Sequence, residues 1–376
     1  MLEGLLVVEL ATVLAGPSVG QFLAELGARV VKVEPPAGDV TRSWHRAAEN
    51  PDDTASYFSA ANFGKESVVL DLRDTEAARA AKALAARADI LIASFRPGHD
   101  ARLGLDPETL LLENPGLIVA TVSGYGRDSD RAGYDAVIQA ESGFMAMNGY
   151  PDRPPVKLPV ALMDVLAAHH LKEGILLALL DRQRTGKGRH VTISLLDAAV
   201  SALANQGSGT LRTGQPPVRM GSAHPNIAPY GTVLQCSDGE SILLAVGSSR
   251  QFEAVCEALH VPVDAQWRTN AGRVRQRQQL ESRLQAAAAG VASDTLMAGL
   301  EKCGVPAGRI RHAGDALARS PYMVLEPEGI RQWPAGFREL SPPPDLGAHT
   351  ELVLAELTDL GGAAIARIIA LNTPDA

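Results

Sequence analysis

Residues 5–34 read LLVVELATVLAGPSVGQFLAELGARVVKVE, and this stretch decides the fold. Residues 5–10 are an apolar run of strand length. Gly16-Pro17 marks a loop, and residues 17–26 carry a helical pattern with Pro17 in its first turn and Gly27 as its stop. Residues 29–33 form a second strand. Strand, helix and strand in so short a stretch make a βαβ unit, and a parallel pair needs such a crossover.

The same alternation continues outward. Strands are expected at 67–72, 89–93 and 117–122, with helices at 75–87 and 107–113. This order predicts an α/β chain with a mostly parallel, doubly wound sheet. Residues 162–184 read as one long apolar helix, Thr185-Gly186-Lys187-Gly188 as the turn that ends it, 190–194 as a strand and 195–205 as a helix. Residues 207–217, rich in Gly, Thr and Pro, read as a connection between domains. Beyond it the pattern changes. Strands at 231–236 and 241–246 pair about the turn Asp238-Gly239, and helices follow at 251–259 and 273–289, giving a smaller α+β domain. Ser341-Pro342-Pro343-Pro344 reads as an extended linker. Helices at 350–357 and 361–371 are expected to pack back on the first domain.

Length and composition narrow the function. A chain of 376 residues exceeds one simple core and implies two domains. A net charge of −8 argues against nucleic acid or an anionic membrane as partner. Residues 160–180 are the most apolar stretch, but Asp164, His169, His170, Lys172 and Glu173 exclude a membrane span. The N-terminus lacks a basic stretch followed by a long apolar run, so no secretion signal is expected. Cys236, Cys256 and Cys303 form no C-x-x-C pair, which fits unbridged thiols and a cytoplasmic location. The histidines are scattered, or adjacent and divergent as at His169 and His170, so no metal site is expected. Glu34 ends the second strand where a ribose-binding acid would lie. The loop Ala15-Gly16-Pro17-Ser18-Val19-Gly20 is nevertheless not G-x-G-x-x-G, and Pro17 removes an amide that a pyrophosphate could use.

Asp164 stands where the loop at 154–159 gives way to the apolar helix. Two readings stay open from position alone. Aspartate is a favoured N-cap. A carboxylate near a helix N-terminus is also stabilised as the anion, and an ionised carboxylate can act as a nucleophile without a separate base.

Several blocks, taken in order, resemble one family. They are Leu14-Ala15-Gly16-Pro17, Leu23-Ala24-Glu25-Leu26-Gly27-Ala28, Gly38-Asp39-Val40-Thr41-Arg42, Asn62-Phe63-Gly64-Lys65-Glu66-Ser67, Phe95-Arg96-Pro97-Gly98, Ser123-Gly124-Tyr125-Gly126 and Gly133-Tyr134-Asp135. The strongest runs from Asp164 to Gly174-Ile175-Leu176, through Arg184-Thr185-Gly186-Lys187-Gly188, to Ser194-Leu195-Leu196-Asp197-Ala198-Ala199. Together they resemble the class III CoA-transferases, the group of formyl-CoA transferase and carnitine CoA-transferase. Leu14 stands where formyl-CoA transferases have glutamine, and Gly221-Ser222-Ala223-His224-Pro225-Asn226 where they have a run of glycines, which speaks against an oxalate/formyl pair. Tyr134 stands where related α-methylacyl-CoA racemases have histidine, and the racemase glutamate near Ser249 is missing.

The resemblance implies an interlocked homodimer. Each chain would have a Rossmann-like large domain over 1–205, completed by 345–376, and a small α+β domain over 221–325, with linkers at 206–220 and 326–344. It implies a CoA thioester as substrate with no tightly bound cofactor or metal, and Asp164 as the nucleophile that carries CoA to a carboxylic acid acceptor. Val13, Ala15, Leu70, Arg73, Phe95 and Arg102 match CoA-site positions. Trp44, Tyr57, Tyr134 and Asp135 match positions around the acyl group. The stretch 221–230 is similar to relatives that act on dicarboxylic acids such as succinate, glutarate or itaconate, with His224 and Asn226 placed to read the second carboxylate. The competing readings are a racemase and a CoA-binding protein without turnover.

Overall fold

The computed structural model describes residues 1–325, 329–333 and 339–372. Its first two strands, β1 (Leu6–Leu10) and β2 (Arg29–Glu34), pair in parallel with Glu9 opposite Lys32. They are joined by α1 (Ala15–Glu25), every residue of which is buried. After the short α2 (Ser56–Ser59), β3 (Lys65–Val69) adds beside β2. Then α3 (Thr75–Arg87) crosses to β4 (Ile90–Ala93), which pairs with the far side of β1. The Asp74 carboxylate starts α3 by accepting the Glu76 and Ala77 amides. That cap and its turn explain why β3 ends before the expected residue 72; the strand also begins earlier, at Lys65. The short α4 (His99–Leu103) and α5 (Pro107–Glu113) lead to β5 (Ile118–Ser123).

Next come α6 (Asp135–Glu141), α7 (Phe144–Met147), α8 (Leu162–Thr185), β6 (His190–Ser194) and α9 (Leu195–Ser201). The sheet order is β3-β2-β1-β4-β5-β6 and all five pairings are parallel. The expected open connection at 207–217 is instead largely helical, as α10 (Ala204–Thr213). The Thr210 and Thr213 hydroxyls return to carbonyls four residues back, and Gly214 closes the helix in the left-handed conformation.

The chain divides into two compact units. One contains residues 1–142, 158–214 and 320–376, and the other 143–157 and 215–319. The large domain expected over 1–205 therefore lacks 143–157, which belongs to the second unit. That unit holds the antiparallel sheet β7 (Tyr230–Gln235), β8 (Ser241–Ala245) and β9 (Ala307–Arg309). It also holds α11 (Ser249–Ala258), α12 (Asn270–Arg275), α13 (Arg277–Ala288), α14 (Ser293–Lys302) and α15 (Ala313–Ala318). The single helix expected at 273–289 is split at Gln276. Arg273 is buried and donates to the Ala228 and Trp267 carbonyls, which ties α12 to the loops and ends its run.

Back in the first unit, α16 (Thr350–Leu357) and α17 (Gly362–Asn372) join α3 over one face of the sheet. Val8, Leu10, Val31, Val33 and Leu91 fill that core. Strand alternation turns Glu9 and Lys32 to the opposite face. The antiparallel ribbon of Val324–Leu325 and Gly329–Ile330 leads to Gln332 and Trp333, whose amides donate to the buried Glu25 carboxylate of α1. Of the linker expected at 326–344, residues 326–328 and 334–338 lie outside the described residues. Among the described residues no helix is long and apolar enough to cross a membrane.

Candidate active site

In a doubly wound sheet of order 3-2-1-4-5-6, the loops after the two central strands leave in opposite directions. The crevice between them is where such folds bind ligands. Here those strands are β1 and β4. Their following residues, Thr12, Val13 and Ser94 to Pro97, line a cavity of about 260 Å³ at the C-terminal edge of the sheet. Ser123 at the end of β5, Gly124 after it, the stretch from Ser129 to Asp135, and Asp164 also line it. A second cavity, of about 240 Å³, shares Phe95, Pro97, Val122 and Ser123 with the first.

The chain reaches this crevice through two tight local arrangements. Gly124 and Gly133 lie back to back: a Cβ on Gly133 would sit 2.2 Å from the Gly124 Cα. Only glycine at both positions lets the 125–132 loop fold over the crevice. Val13 has φ of 71°, the left-handed region that a β-branched residue avoids. Its amide faces the Asp39 carboxylate at 3.2 Å, and Asp39 is held in turn by Lys32 at 3.0 Å.

Lys32 belongs to a buried charge cluster beneath α1. Lys65 donates to both Glu9 oxygens, to the Pro17 carbonyl and to Asn62, all between 2.8 and 3.0 Å. Lys32 bridges Glu9 and the Ala11 carbonyl. Glu34 accepts Arg42 and the Ser67 hydroxyl. Burial opposes the Lys32 charge, yet Glu9, Asp39 and Glu34 together raise its pKa. For Lys65 burial wins over Glu9, and the ammonium is pushed down to about 8. Thus Glu34 works as a structural anchor of the loop after β2.

Asp164 is the third residue of α8, whose N-cap is Ala161. It therefore does not cap its helix. That task falls to Asp135, whose Oδ1 accepts the Met163 amide at 2.7 Å. Asp164 as a residue is 8 % exposed, and its carboxylate makes no hydrogen bond or ion pair with the described residues. Burial first, and the Asp135 carboxylate second, push its pKa up to about 7. The expectation of a fully ionised group at the helix mouth is corrected. Near neutrality Asp164 is poised between its two forms, because desolvation outweighs the favourable helix end. Burial, with Asp164 and Asp135 adding to it, also raises the Tyr57 phenol. Tyr57 packs edge-on against Trp44 at 5.1 Å between ring centres.

The profile described as CoA-transferase family III matches residues 2–350. The chain belongs to CoA-transferase family III. It is similar to the succinate–glutarate CoA-transferase of Agrobacterium fabrum, with 37 % identity over 95 % of each chain. It is also similar to the succinyl-CoA:glutarate CoA-transferase of Mus musculus, at 33 % identity over 98 % of this chain and 89 % of that one. Among solved structures, a CaiB/BaiF family protein from Brucella suis superposes with a TM-score of 0.83, 40 % identity, and coverage of 95 % and 99 %. The expected α/β fold and the expected enzyme class, a CoA-transferase, are both shown by these matches.

Within this family III chain, the crevice gathers Val13, Ala15, Phe95, Tyr134, Asp135 and Asp164 from the expected positions. Trp44 and Tyr57 do not line it, though Tyr57 feels the Asp164 charge. Leu70 is 1 % exposed in the core, so only its backbone could meet a ligand. Arg73 is exposed and paired with Asp71 at 2.7 Å, and Arg102 is exposed on α4, both outside the lining. His224 and Asn226 belong to the second unit. There the His224 ring accepts the Asn226 amide and packs on Tyr230. The sequence reading did not single out Ser94, Arg96 or Arg131 as site residues, although all three line the crevice. Arg131 stacks over Tyr125 and pairs with Glu141. The glycines that bracket its loop were the available signal. Among the described residues no three His, Cys, Asp or Glu side chains gather as a metal site would require.

Proposed function

We propose that this chain moves CoA from an acyl-CoA donor to a dicarboxylic acid of the succinate or glutarate type, with Asp164 as covalent carrier. One observation carries the reading. A buried carboxyl without a hydrogen-bond partner among the described residues faces the crevice at the sheet's switch point. Its oxygens are held by no neighbouring side chain or amide of the described residues and are open to the crevice, where a ligand could reach them.

The Asp164 carboxylate attacks the thioester carbonyl and the C–S bond breaks, giving a mixed anhydride and the CoA thiolate. The thiolate then attacks the aspartyl carbonyl and expels the donor acid as its carboxylate, leaving an aspartyl-CoA thioester. The acceptor carboxylate attacks that thioester and releases the thiolate again, forming a second anhydride. The thiolate takes the acceptor's acyl group and restores Asp164. Each step exchanges one activated carboxyl for another, so protons and electrons balance without ATP. Backbone amides around the crevice are the proposed donors to the tetrahedral oxyanions.

Val13, Ala15 and Phe95 would hold the thioester end of CoA, the Leu70 backbone with Arg73 and Arg102 its outer part, and Trp44, Tyr57 and Tyr134 the acyl group. His224 and Asn226 would read the acceptor's second carboxylate. The dicarboxylate class draws support from the named activities of the similar transferases. Two copies of the chain would form the interlocked homodimer in the cytoplasm. Leu177 and Leu180 point outward from α8 at 66 % and 60 % exposure, as an unpaired interface would.

The deciding experiment incubates the enzyme with succinyl-CoA and a panel of acids (glutarate, itaconate, oxalate, acetate), with products read by mass spectrometry. CoA esters of dicarboxylates are expected, along with a hydroxylamine-trapped adduct on Asp164. Undiminished transfer by Asp164→Ala would end the proposal. Hydrogen exchange beside the thioester without free acid would favour a racemase, and CoA binding without turnover would favour a binding protein.

A further inference from the structure

Asp135 begins α6 yet serves α8. Its Oδ1 takes the Met163 amide at 2.7 Å, one of the N–H groups that the first turn of a helix leaves unpaired. Its Oδ2 takes Gln139 Nε2 at 2.6 Å. Gln139 is fully buried and binds the lead-in segment from both ends of its amide. Its Oε1 accepts the Leu158 amide at 2.7 Å, and its Nε2 also reaches the Val160 carbonyl at 3.3 Å. One carboxylate and one carboxamide, a single turn apart on α6, therefore fix the path from Leu158 to Met163. Asp164 is the next residue.

We propose that Asp135 is a positioning residue for the reaction of Asp164, fixing the first turn of α8 at the crevice and governing by its negative charge when Asp164 is free to attack. This rests on Asp164 being the nucleophile. The other charged or titratable groups around Asp164 are Tyr57 on α2 and Arg96, Asp130, Arg131 and Tyr134 on the crevice loops. The lining positions supplied by α1 and α9, Ala15 and Leu195, carry no charge. Asp135 and burial are the two causes that raise Asp164, and only Asp135 can be removed by one conservative substitution. Its role differs from reading substrate: both of its oxygens are already engaged by the protein.

The test compares wild type, Asp135→Asn and Asp135→Ala in CoA transfer from succinyl-CoA to glutarate across pH. A second readout follows carbodiimide labelling of Asp164 against pH, by peptide mass spectrometry. Asparagine keeps an oxygen to cap α8 but loses the charge and the bond from Gln139, whose Nε2 would then face a second donor, so the pH readouts, which do not depend on the absolute rate, carry the test. The variant's acidic limb of kcat/KM and its labelling midpoint should both move down by about one pH unit, roughly tenfold in ionisation. Alanine loses cap and charge together, so its limb should move as in the asparagine variant while its plateau activity falls by about 100-fold, as misplacement of a reacting group does. An asparagine variant with the wild-type limb and midpoint would overturn the inference, as would an alanine variant with full activity. If Asp164→Asn transfers CoA as well as wild type, the nucleophile reading fails instead, and the labelling midpoint still decides whether Asp135 governs the Asp164 proton.

Discussion

Replacing Asp164 by asparagine should make the protein more stable, and by an amount that depends on pH. Folding raises this carboxyl from an unperturbed 3.8 to about 7. The folded chain therefore prefers the protonated form, and the unfolded chain does not. The stability tied to that preference is complete below the unfolded value and is lost as pH rises from about 4 through about 7. Each unit of difference is worth about 1.4 kcal/mol, so burying a titratable carboxyl here costs about 4 kcal/mol at about pH 8, where it is ionised, and about 2 kcal/mol at about pH 5.5, where folding must protonate it. Asparagine has the same shape and never ionises. Paired urea unfolding of wild type and Asp164→Asn at those two pH values should show the variant ahead at both, with its advantage growing by about 2 kcal/mol on going to the higher pH. A variant that is no more stable than wild type at the higher pH, or a gap that ignores pH, would refute the reasoning. A gain in stability on removing a reactive group is the signature of a site held in a costly state for function.

Three other outcomes follow from the same geometry. Transfer activity should climb through about pH 7 to a plateau, because only the ionised Asp164 attacks; a profile flat from about pH 5 to 8 would contradict the raised pKa. Glu9→Gln leaves Lys32 and Lys65 buried with their shared partner discharged, and should cost about 3–5 kcal/mol in urea unfolding, whereas loss of an exposed pair such as Lys82–Glu113 should cost less than about 1. Gly133→Ala forces a Cβ into Gly124, so CoA transfer should fall at least about tenfold while far-ultraviolet circular dichroism stays that of the wild type.

Much of the first unit was legible because its signals are local. The helices at 75–87 and 107–113 and the strand at 190–194 fall at their expected bounds, since caps, prolines and apolar periodicity lie inside each segment. The helix over 204–213 was not legible: its glycines and threonines read as loop, and only hydroxyl back-bonds and a left-handed Gly214 show otherwise. The helix at 273–289 was read as unbroken because nothing in its own pattern shows that Arg273 is buried against the Ala228 and Trp267 carbonyls.

The candidate site divides in the same way. Asp164 stood out from its place before an apolar helix and from the blocks around it. That it leaves the capping to Asp135, 28 residues before the Met163 amide it accepts, could not be read from either segment alone. Glu9 and Lys65 look like ordinary polar strand residues, yet they meet with no solvent across 56 residues of chain. Periodicity, turns and motif spacing are properties of neighbouring residues, so the sequence by itself determined the parallel α/β plan and the family, and marked out Asp164. Burial and ionisation depend on groups that only chain folding brings within a few ångströms. The tertiary structure therefore decided which residue caps α8, which charges lie sealed under α1, and that Asp164 titrates near neutrality.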